Sequence, residues 1–392
     1  MTPRKRILLV HNFYQIGGGE HTVFENEKWL LKKKGHAVLE YTRSNDELKH
    51  SKWKLLLLPF TTIWSFRTFF QVRKIIREEK IEIVHCHNTF PLISPSVYYA
   101  ARSRKVPVVQ TVHNFRFLCP NGMFYCDGRI CEQCVQKQSF RPALKNRCYR
   151  NSLVQTAVAV AMLKVHRWLG TYSRINYIFL TEFNRSKFTS LIDVAADNVF
   201  IKPNFVYGQA EPVRNRKIEN RFIYAGRLDE NKGISFLLDV WPELPAEYEL
   251  HIYGDGGYRK ACEMAAQQHG NIRYFGFRPQ QEIKDDLADA AALVFPSVCY
   301  ETFGMSWAES FSVGCPVLSA DLGNHGSLIR QSQGGLTYES GNRAAFCEAV
   351  KMLIAGHPSY SENARRYYET YLSEDHNYEI LSDIYDKAKY IR

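Results

Sequence analysis

Two glutamates eight positions apart are the residues in this chain best placed to do chemistry. They lie in Pro296-Ser297-Val298-Cys299-Tyr300-Glu301-Thr302-Phe303-Gly304-Met305-Ser306-Trp307-Ala308-Glu309. An apolar run ending at Phe295 delivers Glu301 into a loop, Phe303-Gly304 opens a helix, and Glu309 follows about one turn in. Amides of Phe303, Gly304 and Met305 at a helix start would offer N–H donors to phosphate and sugar hydroxyls. At about 1.5 Å of rise per residue the carboxylates stand roughly 6–12 Å apart. That is the span between the ribose and the sugar of a nucleotide-sugar. Two solvent-facing glutamates on an amphipathic helix would be the plain alternative.

The second signal is a group of thiols. Cys119, Cys126, Cys131, Cys134 and Cys148 fall within 30 residues, with Cys131 and Cys134 forming a C-x2-C knuckle. A knuckle with outlying thiols can close a tetrahedral zinc site that staples a loop with no core of its own. Ordinary reduced thiols and a redox role are the competing readings. Cys86, Cys262, Cys299, Cys315 and Cys347 are isolated along the sequence and read as core packing.

The elements that must position these groups read as strand, glycine turn, helix, strand, repeated. Arg6–Val10 is a short apolar strand leading into Gly17-Gly18-Gly19, followed by a helix with Val23, Phe24, Trp29 and Leu30 as its buried stripe and a stop at Gly35. Ala37–Tyr41, Ile81–Cys86 and Val106–Thr111 continue as strands. The pattern restarts after Pro203 with Phe222–Ala225, a helix at Ile234–Val240, then Glu249–Tyr253, Asn271–Phe275 and Ala292–Phe295. This is the grammar of a parallel α/β sheet written twice. The expected fold class is α/β, two Rossmann-like domains facing across a cleft. The first spans 1–200 with a cysteine-rich insertion at 119–148, and the second spans 205–370. Val206–Arg221 suits a linker, and 371–392 is a terminal helix able to pack back on the first domain. Ligands of open α/β sheets bind at the carboxyl ends of strands, so the cleft is the expected site.

Glu301 and Glu309 in this setting, together with Gly17-Gly18 and Gly226-Arg227…Lys232-Gly233, resemble the retaining glycosyltransferases of family 4, of the GT-B fold. The resemblance runs over nearly the whole chain in the family's order. It implies that Arg227 and Lys232 grip the donor diphosphate, two fixed cations standing where other sugar transferases use a metal. Gly17 and Gly18 would let backbone approach that diphosphate. Glu309 would hold the ribose, and Glu301 with the Phe303–Met305 amides would face the donor sugar. His113, in Gln110-Thr111-Val112-His113-Asn114, would reach the transferred sugar and the reacting phosphate; without that context a lone histidine after a strand reads as structural. Gly254 and Gly256 would lie near the nucleotide, and Phe277 with Arg278 beside the base. A cysteine-bearing subset of the family shares Cys119-Pro120-Asn121-Gly122, the knuckle and Cys148-Tyr149-Arg150, which picks out Cys119, Cys131, Cys134 and Cys148 for a structural zinc and leaves Cys126 as an extra. The implied reaction moves a sugar from a UDP- or GDP-linked donor to a hydroxyl with retention, needing no cofactor for catalysis. Retaining glycosidases hold two carboxyl groups about 5 Å apart, a pair nothing in this sequence supplies. The resemblance implies instead a same-face attack in which the departing phosphate oxygen takes the acceptor's proton.

Charge is divided unevenly. Among its 392 residues the chain has a net charge of +11, yet residues 1–200 carry 31 Lys/Arg against 14 Asp/Glu, net +17, and the remainder is net −6. One half should meet something anionic. Lys49, Lys52, Trp53, Lys54, Leu55–Leu58, Phe60, Trp64, Phe66, Arg67, Phe69, Phe70, Arg73, Lys74 and Arg77 interleave apolar bulk with cations, as a helix on an anionic bilayer surface does. An amphipathic core with a solvated basic face reads the same residues differently. The expected partners are the nucleotide-sugar, a glycan or polyprenyl-linked acceptor of the kind many family members use, and an anionic membrane surface; nucleic acid is not among them, since no nucleic-acid module is recognisable. Apolar runs are too short for a signal-peptide core or a span of about 18 residues. The expected location is therefore cytoplasmic, peripheral at the inner membrane face, with the cysteines reduced or metal-bound. A nucleotide-sugar 2-epimerase of the same fold and a zinc-containing nucleic-acid binder are the alternatives.

Overall fold

The structure, a computed structural model, describes residues 4–15, 17–49, 51–207 and 219–392. It divides into two compact units. The first comprises 1–124, 132–204 and 377–392, and the second comprises 125–131 and 205–376. Most of the expected linker, 208–218, lies outside the described residues.

In the first unit the elements run β1 (Arg6–Phe13), α1 (Gly19–Lys33), β2 (Ala37–Ser44), α2 (Lys52–Ile63), α3 (Phe66–Glu78), β3 (Ile83–Asn88), α4 (Ser96–Arg102), β4 (Val108–Val112), α5 (Leu153–Trp168), β5 (Asn176–Phe179), α6 (Glu182–Thr189) and β6 (Val199–Ile201). The sheet order is β2-β1-β3-β4-β5-β6, and every neighbouring pair is parallel. Strand β3 is buried at all six positions, as a central strand covered on both faces must be. The stripe of α1 is Val23, Phe24, Glu27, Leu30 and Leu31. Trp29, expected in that stripe, is 47% exposed with the Lys33 ammonium 4.6 Å from its ring. Six residues on from Val23, it has turned some 240° about the helix and faces away.

The second unit repeats the plan with β7 (Glu219–Ala225), α7 (Ile234–Val240), β8 (Glu249–Tyr253), α8 (Arg259–Gln268), β9 (Ile272–Gly276), α9 (Gln280–Leu287), β10 (Ala290–Phe295), α10 (Met305–Ser312), β11 (Val317–Ala320), α11 (Gly323–Ser332) and β12 (Gly335–Tyr338), closed by α12 (Arg343–Ala355) and α13 (His357–Tyr367). Its order is β9-β8-β7-β10-β11-β12, again all parallel. The core packs Phe222, Leu237, Trp241, Leu250, Val294 and Phe346 between sheet and helices. The last helix, α14 (Glu374–Lys387), contributes its residues from Asn377 onward to the first unit, where Leu381, Ile384 and Tyr385 join the core of Ile7, Leu9 and Phe24.

The cysteine-bearing insertion is shared out. A small hairpin, Tyr125–Cys126 against Arg129–Ile130, groups with the second unit, where a Cβ on Gly128 would stand 3.3 Å from Glu230 Oε1. Cys126 and Cys131 go with it, while Cys119, Cys134 and Cys148 stay with the first unit. The insertion was expected to lie wholly in the N-terminal domain.

Candidate active site

In the second unit the loops leaving β7, β8, β9 and β10 emerge along one edge, because those strands are parallel neighbours. They are knitted together through their backbones. Gly226 N donates to Tyr253 O, Leu228 N to Asp255 O, Gly254 N to Gly276 O, and Val298 N to Asn231 O, all at 2.9–3.1 Å. Two glycines make this approach possible. A Cβ on Gly254 (φ +139°) would stand 1.8 Å from Gly226 O, and one on Gly233 (φ +73°) 2.0 Å from Pro296 O. The loop carrying Arg227 and Lys232 is thereby pressed onto the loop carrying Glu301.

The result is a tight ion pair. Lys232 Nζ lies 2.5 Å from Glu301 Oε1, which also accepts from Ser297 Oγ at 2.7 Å. Burial works to raise the Glu301 pKa, but Lys232 and Ser297 outweigh it, so the group sits below the usual carboxylate range. Burial works to lower that of Lys232, and the Glu301 carboxylate outweighs it in the upward direction. Both therefore stay charged. Arg227 lies on the same loop, half exposed, 3.1 Å from Asp229.

Past Glu301 the chain turns at Gly304 (φ +89°), whose hydrogen faces the Phe295 and Trp307 rings, and α10 begins at Met305. Phe303 is buried and its carbonyl accepts from Trp307 Nε1 at 2.6 Å. Glu309, one turn into α10, accepts from Gln280 Nε2 of α9. Burial raises its pKa, opposed by Lys284 and Gln280. Phe277 is 80% exposed beside Arg278 at the start of the loop after β9. The structure thus brings Arg227, Lys232, Gly254, Phe277, Arg278, Glu301, Phe303, Gly304, Met305 and Glu309 to one edge of one sheet.

In the first unit, Gly17-Gly18 follows β1 and His113 follows β4, at the carboxyl edge of that sheet. A Cβ on Gly17 or Gly18 would meet nothing within 4 Å, so only an incoming group could use the absence of side chains there. His113 stacks on His87 at 5.1 Å between ring centroids, and its Nε2 is 2.9 Å from His87 Nδ1. Burial, with His87 and His11 nearby, holds the His113 pKa well below the ordinary histidine value, so the ring is neutral at pH 7. His87, His113, Phe90, Tyr98 and Arg116 line a hollow of about 430 Å³, counting its open mouth.

Three features of this unit escaped the sequence reading. Arg116 spans the Phe90 and Tyr149 rings and donates to Pro120 O at 2.8 Å. Glu20, in the first turn of α1, accepts from Asn114 Nδ2 at 3.3 Å, and burial raises its pKa to about 7. Glu27, His85 and His87 converge in the core, the single group of three or more candidate metal ligands among the described residues. A cation already serves it, since Lys202 Nζ lies 3.0 Å from Glu27 Oε2. An acid inside the apolar stripe of α1 was the visible signal. In the second unit His325 was likewise missed: it is 1% exposed, near Glu301, and neither ring nitrogen has a hydrogen-bond partner among the described residues. The four thiols expected to hold zinc do not converge as a ligand set among the described residues.

Two family profiles match this chain. The one described as Glycosyl transferases group 1 takes residues 219–356, and the one described as Glycosyltransferase Family 4 takes residues 16–171. A lipopolysaccharide 1,6-galactosyltransferase of Escherichia coli is 27% identical over 167 residues, 41% of this chain and 46% of that protein. The chain thus spans about half the length of that curated relative. The phosphatidylinositol N-acetylglucosaminyltransferase gpi3 subunit of Schizosaccharomyces pombe is 23% identical over 329 aligned positions, covering 79% of this chain and 64% of its own. Among solved structures, Anabaena Alr3699/HepE in complex with UDP superposes with a TM-score of 0.65 at 15% identity, over 97% of this chain and all of that one. With both halves matched and both sheets of the expected kind, the chain belongs to the group 1, family 4 glycosyltransferases and has their two-domain GT-B fold.

Proposed function

We propose that the protein transfers a sugar, with retention, from a nucleoside-diphosphate donor to a hydroxyl of a glycan or lipid-linked acceptor. The observation that carries this reading is the Lys232–Glu301 pair, held charged beside Arg227 at the carboxyl edge of the second sheet. A diphosphate leaving group develops negative charge, and fixed cations in a partly buried site stabilise it without reorganising. Arg227 and Lys232 are those cations, so no metal is needed to stabilise the leaving group. Glu301, the partner of Lys232, is an acceptor for hydroxyls of the donor sugar, and Glu309 for those of the ribose. Phe277, open to solvent, offers a face for the base. A neutral His113 accepts or donates one hydrogen bond to the transferred sugar and does not act as a cationic acid. In this reading the departing phosphate oxygen takes the acceptor proton as the new bond forms on the same face. The UDP complex of the Anabaena protein supports uracil as the base. Thermal-shift titration with UDP, GDP and their sugars, followed by transfer assays, tests this: stabilisation by neither nucleotide would refute it.

The acceptor side favours a membrane-bound, anionic partner. Arg116 puts a cation on the hollow of the first unit, where a diphosphate-bearing lipid would place its charge. In the same unit α2 and α3 leave Trp53, Leu56, Phe60, Phe66 and Phe70 between 60% and 75% exposed, apolar surface that stands out on a globular protein. No single helix among the described residues is long and apolar enough to cross a membrane. We read α2 and α3 as lying on the lipid surface at the cytoplasmic face. Wild-type protein should float with anionic liposomes and fail with neutral ones, and Trp53→Ser with Phe60→Ser should cut flotation at least about tenfold. Equal flotation with both lipids would remove the membrane claim.

A further inference from the structure

Helix α9 turns one face towards Glu309 of the neighbouring α10. Gln280, its first residue, donates from Nε2 to Glu309 Oε1. Lys284 follows one turn later, 6% exposed, with its ammonium donating to Tyr207 O at 2.6 Å. Its charge acts on Glu309 and favours the ionised form of the carboxyl against burial, which acts the other way.

The Gln280 hydrogen bond fixes what is left over. A carboxylate oxygen accepts, so the amide turns its NH2 to Glu309 and its carbonyl elsewhere. Glu309 Oε2 and Gln280 Oε1 have no hydrogen-bond partner among the described residues. Gln280 is exposed and Glu309 partly so, and a ligand can reach both. Each open oxygen shares a carbon with one atom of the hydrogen-bonded pair, which makes the two near neighbours. Two neighbouring acceptors suit two hydroxyl groups on adjacent carbons. A ribose carries such a pair at its 2′ and 3′ positions, whereas a 2′-deoxyribose has only one of them. Phe277, the face offered to the base, precedes Gln280 by three residues on the same loop.

We propose that Gln280 is a specificity-determining residue for the donor: its carbonyl and Glu309 Oε2 each accept one ribose hydroxyl, and the protein takes ribonucleoside-diphosphate sugars in preference to their 2′-deoxyribose counterparts. The inference rests on the reading that Glu309 meets the ribose, and adds to it a second acceptor from another helix. Loss of either hydroxyl leaves one desolvated acceptor without a partner. A site built for hydroxyls rejects an analogue lacking one for that reason.

Isothermal titration calorimetry on the full-length protein, with UDP, GDP and the 2′- and 3′-deoxy analogues of each, tests this. Wild type should bind the ribonucleotide at least about fivefold more tightly than either deoxy analogue. Gln280→Met keeps the length of the side chain and removes the amide. It should weaken the ribonucleotide about fivefold and abolish the penalty for one deoxy analogue while leaving the other in place. Equal wild-type affinity for the ribonucleotide and either analogue would overturn the proposal. So would a Gln280→Met variant that keeps both penalties or loses both alike, since Gln280 would then do no more than orient Glu309. The donor reading fails separately, if neither UDP nor GDP binds wild type, whereas this inference can fail with the nucleotide bound normally.

Discussion

Two of the protein's lysine–glutamate pairs, one in each unit, differ chiefly in how much water they keep. Lys202 and Glu27 are 1% and 0% exposed and are enclosed by Asn377 and His85. Lys232 and Glu301 keep 25% and 13% of their side-chain surface and stand at a loop edge beside the half-exposed Arg227. A sealed pair has nothing left to bind, and its field acts only on neighbours, here the histidines of β3. An open pair can exchange part of its mutual attraction for a ligand's charge. Burial, not chemistry, separates a structural clamp from a binding device.

The largest expected effect falls on the open pair. Lys232→Ala or Glu301→Ala should reduce transfer by at least about 100-fold, the scale of removing one charge-stabilising group from a preorganised site. Circular dichroism and melting should stay close to wild type, because the partner left behind reaches solvent. Near-normal turnover in both variants would erase the distinction drawn above.

Next comes the sealed pair. Glu27→Ala leaves the Lys202 ammonium buried without its counter-ion, which costs about 3–5 kcal/mol. Denaturant melts should move accordingly, and Glu27→Gln with Lys202→Met should recover most of the loss. If the single and double variants melt alike, the pair contributes no charge balance. The sign with pH is also fixed. The Glu27 pKa is depressed on folding, so its stabilisation is complete above the unfolded value of 4.5 and disappears as pH falls towards the folded one.

The smallest effect separates a third acid from both pairs. Glu20 is raised to about 7, chiefly by burial, with Arg116 and Asn114 opposing. The folded state therefore binds the extra proton, and Glu20 erodes stability as pH rises from 4.5 through about 7. Glu20→Gln should flatten that part of the stability curve. A variant whose melting point tracks pH as wild type does would show that Glu20 titrates normally.

Much of the second unit could be read before folding. Strand Glu249–Tyr253 and helix Ile234–Val240 fall where their apolar patterns put them, since each is a local run bounded by glycine or a polar break. That Arg227, Lys232, Glu301 and Glu309 gather at one sheet edge was legible for the same reason: each follows a strand, and parallel strands deliver their ends to one side. Trp29 was misread because size is a poor guide to which way a helical residue points; Glu27, two positions before it, faces the core. Glu27 could be suspected as an acid within an apolar stripe, yet its partner Lys202 is 175 positions away, a separation no periodicity spans.

What the sequence settled alone is what depends on neighbours in the chain: the alternation of strands and helices, the glycines that permit close turns, and the sign and spacing of charges on each loop. What tertiary structure decided is how much water each charge keeps. Lys202 and Lys232 are the same residue type, each following a strand in its own unit, and only packing seals the first and leaves the second in reach of water. Solvation depends on everything within several ångströms in three dimensions, and most of that shell comes from residues far away along the chain.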